Sequence, residues 1–286
     1  MKKAVGFAIY TLFILLLGRS LLLLPRISFF TNKQTDVQKL KQEVQKLVSS
    51  QKGSYSVYFH DLKTDVSFGI NEKQIHTAAS VNKLPIIAVL YVLASTNKIS
   101  LDEKITIQEK DIQDYGTGKL RYEKQGGVYS LKSLAQLALQ ESDNTAAHVL
   151  ATRMGSDVIQ NTIKEWGLTQ THIQNNKTSL YDMYLLFQRI YEGKVARPHL
   201  RQELLEFLTD TDIEDRLPDL LPSSVKVFHK TGDATGGIHD VGIVEKDGMV
   251  YFVGVLASDV SSYEEQTRKT ISKISSKIYF FVSERQ

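Results

Sequence analysis

The chain has 286 residues, of which 42% are hydrophobic, so it can bury a large core as one domain or two intergrown ones. Its 35 basic and 32 acidic residues leave a net charge of +3 without a block of one sign, which excludes a nucleic-acid partner. It has no cysteine, which excludes disulfides and a thiol nucleophile. The seven histidines show no spacing typical of a metal site, and we expect no metal and no other cofactor.

The N-terminal stretch is strongly apolar. Lys2 and Lys3 precede residues 4–24, which contain a single charged residue and are not followed by a small-x-small cleavage pattern. This length is close to what one membrane span requires. We predict a transmembrane signal anchor over residues 1–30, a polar tether over 31–35 and one extracellular domain over 36–286. The alternative is a cleaved signal peptide with its apolar core at 4–17.

The next segments alternate between helical and extended patterns. Residues 36–47 carry apolar residues at three- and four-residue spacing, which predicts an amphipathic helix. Residues 54–60 and 65–70 are β-rich runs joined by a short polar turn, which predicts a hairpin. Regular helix is predicted to start again near Asn82, because Pro85 suits the first turn of a helix and disrupts later turns.

The middle of the chain is predicted to be all helix, and strands return near the end. Apolar periodicity predicts helices over 130–139, 146–154, 158–166, 179–193 and 198–208. Extended runs predict strands over 225–231, 238–245 and 249–257, before a last helix over 262–283. We therefore predict a mixed α/β (α+β) fold, in which an antiparallel sheet from both chain ends is flanked by helices and an all-helical lobe is inserted. A site is expected in the cleft between the lobes.

Ser80 and Lys83 are polar residues at the start of an otherwise apolar stretch. Residues three apart on a helix share a face, so the Lys83 nitrogen can reach the Ser80 hydroxyl. A lysine buried among apolar neighbours loses its proton easily and can then act as the base that activates a serine. Unpaired N–H groups at the helix N-terminus can stabilise an oxyanion. The pair by itself is better explained by a capping serine and a lysine that extends to solvent.

Two further polar clusters fall where the cleft is expected. Ser142-Asp143-Asn144 lies between two predicted helices, and Lys230-Thr231-Gly232 ends the first late strand. With Ser80-x-x-Lys83 they form, in this order, the motif set of class A β-lactamases and penicillin-binding proteins. The chain resembles this superfamily from residue 36 to the C-terminal helix. Three such motifs in order, each in a suitable helix, loop or strand context, make a chance match improbable.

The resemblance implies a catalytic role for the first two clusters. Ser80 would attack the acyl carbonyl of the substrate, and Lys83, helped by Ser142, would move the protons. Asn144 would form hydrogen bonds with the substrate amide. From its position, Asp143 is expected to bond backbone groups across its own loop.

The third cluster would bind the substrate. The resemblance implies that Lys230 and Thr231, followed by Gly232, hold a substrate carboxylate while the late strand aligns the substrate along its edge. It places the oxyanion hole at the backbone N–H groups of Ser80 and Asp233. Arg216 would assist carboxylate binding, although an ion pair is an equally good interpretation of this arginine.

The sequence departs from the family pattern in one loop. In class A β-lactamases a loop glutamate activates the water that hydrolyses the acyl-enzyme. Residues 167–177, which correspond to this loop, contain no carboxylate. Slow deacylation is therefore expected, unless His172 or Lys83 serves as the base. A second departure is Asp233, whose carboxylate would weaken an oxyanion hole unless it turns to solvent or pairs with a base.

Three functions remain open on these observations. The first is an exported, membrane-tethered serine acyl-transfer enzyme that recognises penicillins or the acyl-D-Ala-D-Ala ends of cell-wall peptides. The second is a true β-lactamase with an atypical deacylation base. The third is a penicillin or muropeptide receptor without catalytic activity, which an intact set of motifs argues against. His148 is interpreted as a packing residue because its helix neighbours are apolar, and the oligomeric state is left open.

Overall fold

A computed structural model gives the structure of the protein and describes residues 30–123 and 125–285, with side chains from residue 36 onward. The helices are α1 (Phe30–Ser49), α2 (Lys83–Ser95), α3 (Leu131–Gln140), α4 (Asn144–Met154), α5 (Ser156–Glu165), α6 (Leu180–Tyr191), α7 (Pro198–Glu206) and α8 (Glu264–Ser283). The strands are β1 (Ser54–Asp61), β2 (Ser67–Ile70), β3 (His76–Thr77), β4 (Lys104–Thr106), β5 (Val128–Ser130), β6 (Lys177–Thr178), β7 (Lys226–Ala234), β8 (Gly237–Lys246) and β9 (Met249–Ser258).

The central sheet combines strands from both ends of the chain. Its order is β2-β1-β9-β8-β7, and every neighbouring pair is antiparallel. The N-terminal strand β1 pairs with the C-terminal strand β9, so that Val57 lies opposite Val255. Strand β7 is therefore an edge strand with one side free. This confirms the predicted fold class and places the Lys-Thr-Gly motif on an edge strand of the sheet.

Each face of the sheet has its own hydrophobic core, because successive side chains of a strand point to opposite faces. Val57 and Phe59 of β1 pack with residues of α1 and α8, such as Val44 and Ile271. Tyr58, between them, packs with the helices of the inserted lobe. The sheet thus separates the two terminal helices from the lobe that carries the Ser-x-x-Lys motif.

The inserted lobe is built around α2. Every residue from Lys83 to Tyr91 is buried, because α3, α4, α5 and α7 pack against this helix. The lobe is not entirely helical, which corrects the prediction for the middle of the chain. Strands β4 and β5 pair, as do β3 and β6, and these strands of two or three residues are too short to produce a recognisable period.

The N-terminal predictions concern residues that are largely outside the described part of the chain. Helix α1 starts at Phe30, so residues 31–35, which we assigned to a tether, are helical. The predicted anchor over 1–30 stays a prediction, since residues 1–29 are not described. Among the described residues, no helix is long and apolar enough to cross a membrane.

Candidate active site

Ser80 lies on a tight turn that leads into α2. Residues Ala79–Asn82 form a 3-10 turn, and the residue before Ser80, Ala79, has a φ of +50°. A non-glycine residue in this region costs about 1 to 3 kcal/mol and persists only where surrounding contacts fix it. Here Ala78 N donates a 2.9 Å hydrogen bond to Asn176 O, and Ala78 is buried. The turn is thereby held so that the half-buried Ser80 lines a cavity.

Lys83 connects the first two motifs. Its Nζ atom lies 3.0 Å from Ser80 Oγ, 3.1 Å from Ser142 Oγ and 2.7 Å from Asn144 Oδ1, and it also contacts Ser142 O. Asn144 Nδ2 donates to Tyr115 O at 2.9 Å, which fixes the amide with its oxygen towards Lys83. The structure therefore brings Ser80, Lys83, Ser142 and Asn144 together, as the sequence predicted.

The surroundings of Lys83 favour its neutral form. Burial, and secondly the charge of Lys230, lower the pKa of Lys83 to about 6, although Asp143 opposes the shift. A neutral amine has two N–H groups and one lone pair. Ser142 O and Asn144 Oδ1 can only accept, so they occupy both N–H groups of Lys83. The lone pair is left for a proton donated by the hydroxyl of Ser80 or Ser142.

The Ser142 loop is fixed by backbone contacts. Ser142 has a φ of +55°, and Thr117 Oγ1 donates to its carbonyl oxygen at 2.7 Å. Asp143 caps α4, since its Oδ1 atom accepts from Ala146 N at 2.9 Å, and its Oδ2 atom accepts from Leu120 N at 2.8 Å. The structural role predicted for Asp143 is confirmed.

Strand β7 brings the third motif to the same place. Lys230 Nζ donates to Ser142 Oγ at 3.1 Å, so this hydroxyl lies between two lysines. Burial lowers the pKa of Lys230 to about 8, against the opposing effect of Asp240. Thr231 lines the cavity beside them. Lys230 is thus largely cationic at neutral pH, whereas Lys83 is largely neutral.

Gly232 allows β7 to touch the Ser80 turn. A Cβ at this position would lie 3.0 Å from Ala78 O and 3.2 Å from Val81 N, which is too close for ordinary packing. His229 N donates away from β8, to Leu208 O at 2.8 Å. Because backbone groups alternate along an antiparallel strand, Thr231 and Asp233 also direct their N–H groups to the free side of β7. The predicted oxyanion donors, Ser80 and Asp233, therefore sit on backbones that are in contact.

Arg216 is buried and forms an ion pair with Asp233, which is exposed to the cavity. Its Nη2 atom lies 2.7 Å from both carboxylate oxygens of Asp233, and its Nη1 atom donates to His239 O at 2.7 Å. Arg216 is 1% exposed and does not line the cavity, whereas Asp233 does. Of the two interpretations of Arg216, the structure shows the ion pair. Asp233 thus pairs with a base, which is one of the two arrangements expected to keep its carboxylate from weakening the oxyanion hole.

His229 forms ion pairs that the sequence analysis did not predict. It is fully buried, with Nδ1 2.9 Å from Asp240 Oδ1 and Nε2 3.2 Å from Glu214 Oε1. Burial alone would lower its pKa, but the carboxylates of Asp240 and Glu214 outweigh burial and raise the pKa of His229 to about 9. The histidine is therefore a cation that ties β7 to β8 and to the segment before Arg216.

The cavity has a volume of about 550 Å³ and lies where all three motifs meet. The loop over residues 167–177 contributes Ile173, Gln174 and Asn176 to its wall and no carboxylate, while Asp233 is the one acidic residue among the described lining residues. His172 is exposed and is not part of the wall. His148 is exposed and does line the cavity, so its interpretation as a packing residue was wrong.

Comparisons with known proteins find related sequences and structures. Residues 39–282 match the model of the Beta-lactamase enzyme family. A curated β-lactamase from Bacteroides uniformis is 21% identical over 267 residues, which cover 84% of this chain and 90% of the relative.

Solved structures of PBP-A have the same fold. PBP-A superposes with a TM-score of 0.80 and 27% identity over 86% of this chain and 96% of PBP-A. A PBP-A variant in an acyl-enzyme complex with penicillin G gives a TM-score of 0.81 and 27% identity, with 86% of this chain and 97% of the variant covered.

Proposed function

Because the chain belongs to the β-lactamase enzyme family, we propose that its Ser80 forms a long-lived acyl-enzyme with β-lactams or acyl-D-Ala-D-Ala cell-wall peptides. The protein is a serine hydrolase of the β-lactamase and penicillin-binding-protein type. The observation that carries the proposal is the geometry of Lys83, whose Nζ atom lies 3.0 Å from Ser80 Oγ and also contacts the acceptors Ser142 O and Asn144 Oδ1. Burial lowers the pKa of Lys83 to about 6, which favours the neutral amine and leaves its lone pair for the Ser80 hydroxyl. PBP-A forms a penicillin acyl-enzyme as a variant, which supports the same chemistry here.

Acylation follows from the positions of the three polar groups around Lys83. Ser80 Oγ attacks the acyl carbonyl, and its proton passes to Lys83 Nζ, 3.0 Å away. Ser142 Oγ, 3.1 Å from the same nitrogen, relays a proton to the leaving nitrogen as the carbon–nitrogen bond breaks. The proton lost by Ser80 is thereby replaced on the leaving group, and Lys83 returns to its neutral form.

Strand β7 binds the substrate and stabilises the charge that develops on it. The N–H groups of Ser80 and Asp233 receive the oxyanion, at a position fixed before the substrate arrives. Lys230 and Thr231 hold the substrate carboxylate when one is present, and Asn144 bonds the acyl amide. Loss of one oxyanion donor typically costs about 10² to 10³ in rate.

Deacylation lacks an equivalent base. Hydrolysis of the acyl-enzyme requires a group that takes a proton from water on the face of the acyl carbonyl, and the loop wall offers Ile173, Gln174 and Asn176. None of these side chains titrates near neutral pH. Loss of a general base costs about 10² to 10⁴ in rate, or about 3 to 5 kcal/mol of barrier. We therefore expect the acyl-enzyme to accumulate.

Intact-mass measurement of the protein with penicillin G over time tests this proposal. We expect one adduct, on Ser80, that forms within minutes and persists after free penicillin is removed. Ser80→Ala should abolish it, and Lys83→Ala should slow it by about 10² or more because the base is lost. Ser179→Ala, which removes a helix-capping hydroxyl that is not part of the cavity wall, is the matched control and should label at the wild-type rate. Undiminished labelling of Ser80→Ala would contradict the proposal.

A true β-lactamase is the second candidate, and His148 is the observation in its favour. This imidazole lines the cavity on α4, one turn after Asn144, whereas His172 does not reach the wall. His148→Ala and His172→Ala form a matched pair for steady-state penicillin hydrolysis. Rapid turnover that is lost only in His148→Ala would identify the base and replace the slow-deacylation proposal. Wild-type turnover slower than adduct formation supports the proposal as stated.

The proposed location is outside the cell, with the domain anchored to the membrane by residues 1–30. The support is the sequence of that segment, in which two lysines precede an apolar run without a cleavage pattern.

A receptor without catalytic activity would bind penicillin reversibly. The covalent adduct on Ser80 described above therefore distinguishes the enzyme from such a receptor.

A further inference from the structure

The ion pair between Asp233 and Arg216 lies beside the proposed carboxylate-binding residue Thr231. Asp233 lines the cavity, and its side chain is 38% exposed. Arg216, 1% exposed, meets both oxygens of the Asp233 carboxylate through a single nitrogen, at 2.7 Å each. The carboxylate of Asp233 therefore lies between the guanidinium and the cavity. A substrate carboxylate could contact Arg216 only by displacing Asp233.

We infer that Asp233 is an internal substitute for the substrate carboxylate, so that this enzyme accepts acyl donors that carry an uncharged group, such as a carboxamide or an ester, at that position. The inference rests on the proposed function, because it concerns the same acylation of Ser80. The inference adds which substrate group binds at the end of β7. The proposed function covers only the reaction at the acyl carbonyl.

The register of β7 supports the inference. Thr231 and Asp233 are two residues apart on one strand, so their side chains share a face and are separated by about 7 Å along it. A substrate carboxylate at Thr231 would thus lie within about 7 Å of a second carboxylate. The repulsion of two unit charges at this distance corresponds to about 3-fold in affinity in water and about 50-fold at an effective dielectric constant of 20.

The contact with Arg216 offsets part of this repulsion, so the larger of the two factors is an upper bound. Asp215 Oδ1 lies 3.2 Å from Arg216 Nε, and Asp215 Oδ2 lies 3.4 Å from Arg268 Nε, so the two acids of this cluster are matched by two arginines. Lys230 is the remaining cation of the motif, and its ammonium donates to Ser142 Oγ. The end of the cavity near Asp233 is consequently close to neutral, which suits a donor without a carboxylate.

The test compares penicillin G with its methyl ester. The second-order rate constant of adduct formation is measured for both compounds by intact mass, and the acid-to-ester ratio is the readout. We expect a ratio within about 3-fold of unity for the wild type. Asp233→Asn, which keeps the shape but removes the charge, should raise this ratio by about 3- to 50-fold. Asp233→Ala is a second variant, which leaves Arg216 Nη2 without its carboxylate partner and should raise the ratio at least as much.

Asp215→Asn is the matched control, because Asp215 contacts the same guanidinium but does not line the cavity. Its ratio should stay within about 2-fold of the wild type. A wild-type preference for the acid above about 100-fold, or an unchanged ratio in both Asp233 variants, would overturn the inference while leaving the proposed function intact. If neither compound labels Ser80, the proposed function fails and the inference fails with it.

Discussion

The pH dependence of acylation tests the assignment of Lys83 as the base. With a pKa of about 6, the amine is about 90% neutral at pH 7 and about 10% neutral at pH 5. Acylation of Ser80 should therefore slow about tenfold between these pH values. An ordinary lysine, with a pKa of 10.5, would be about 0.03% neutral at pH 7. Burial and the charge of Lys230 thus raise the population of the active base by more than about 10³-fold.

The assay is the rate of adduct formation with penicillin G from pH 5 to pH 8, at constant ionic strength. Lys230→Met should move the acidic limb of the profile to higher pH, because the charge of Lys230 is the second cause of the low pKa of Lys83. Thr211→Ser, a conservative change outside the motifs, serves as the control. A flat rate between pH 5 and pH 7 would refute the assignment, and so would a rate that still rises about tenfold per pH unit at pH 8.

Three further predictions concern His229, Gly232 and residues 1–30. Since the folded-state pKa of His229 is raised to about 9 from the 6.5 expected in the unfolded chain, its contribution of about 3 kcal/mol is complete below pH 6.5 and lost as the pH rises through 9. Urea unfolding of His229→Gln should therefore differ from wild type more at pH 6 than at pH 10, and equal differences would contradict this. Gly232→Ala should reduce acylation tenfold or more, because its Cβ meets Ala78 O; wild-type labelling would exclude the close approach. Removal of residues 1–30 should move the protein from the membrane fraction to the soluble fraction, and an unchanged distribution would exclude the anchor.

The sequence predicts those parts of the fold and site that depend on local patterns. The Ser80 turn followed by α2, the Ser142 loop between two helices and the hairpin of β8 and β9 each have a local signal in apolar period or turn residues. Local patterns do not predict that the three motifs meet in one cavity. That prediction came from the family resemblance, which supplies the topology.

Contacts between distant residues were harder to predict. The pairing of Arg216 with Asp233 depends on how the segment before β7 packs, and no periodicity reports it. His148 was misinterpreted because an apolar helix neighbourhood does not tell which face meets the cavity. A usable signal was its spacing of four from Asn144, which places both residues on one face of α4.

The pairing of β1 with β9 also has a consequence for how the protein is made. Val57 meets its partner, Val255, only after nearly the whole chain has been synthesised. Such pairing of distant segments slows folding, because loop closure must precede the contacts that reward it. Strands β1 and β2 would meanwhile form an isolated hairpin, which is marginally stable in water. The nascent chain is therefore expected to depend on chaperones and to be open to proteases until its last strand is complete.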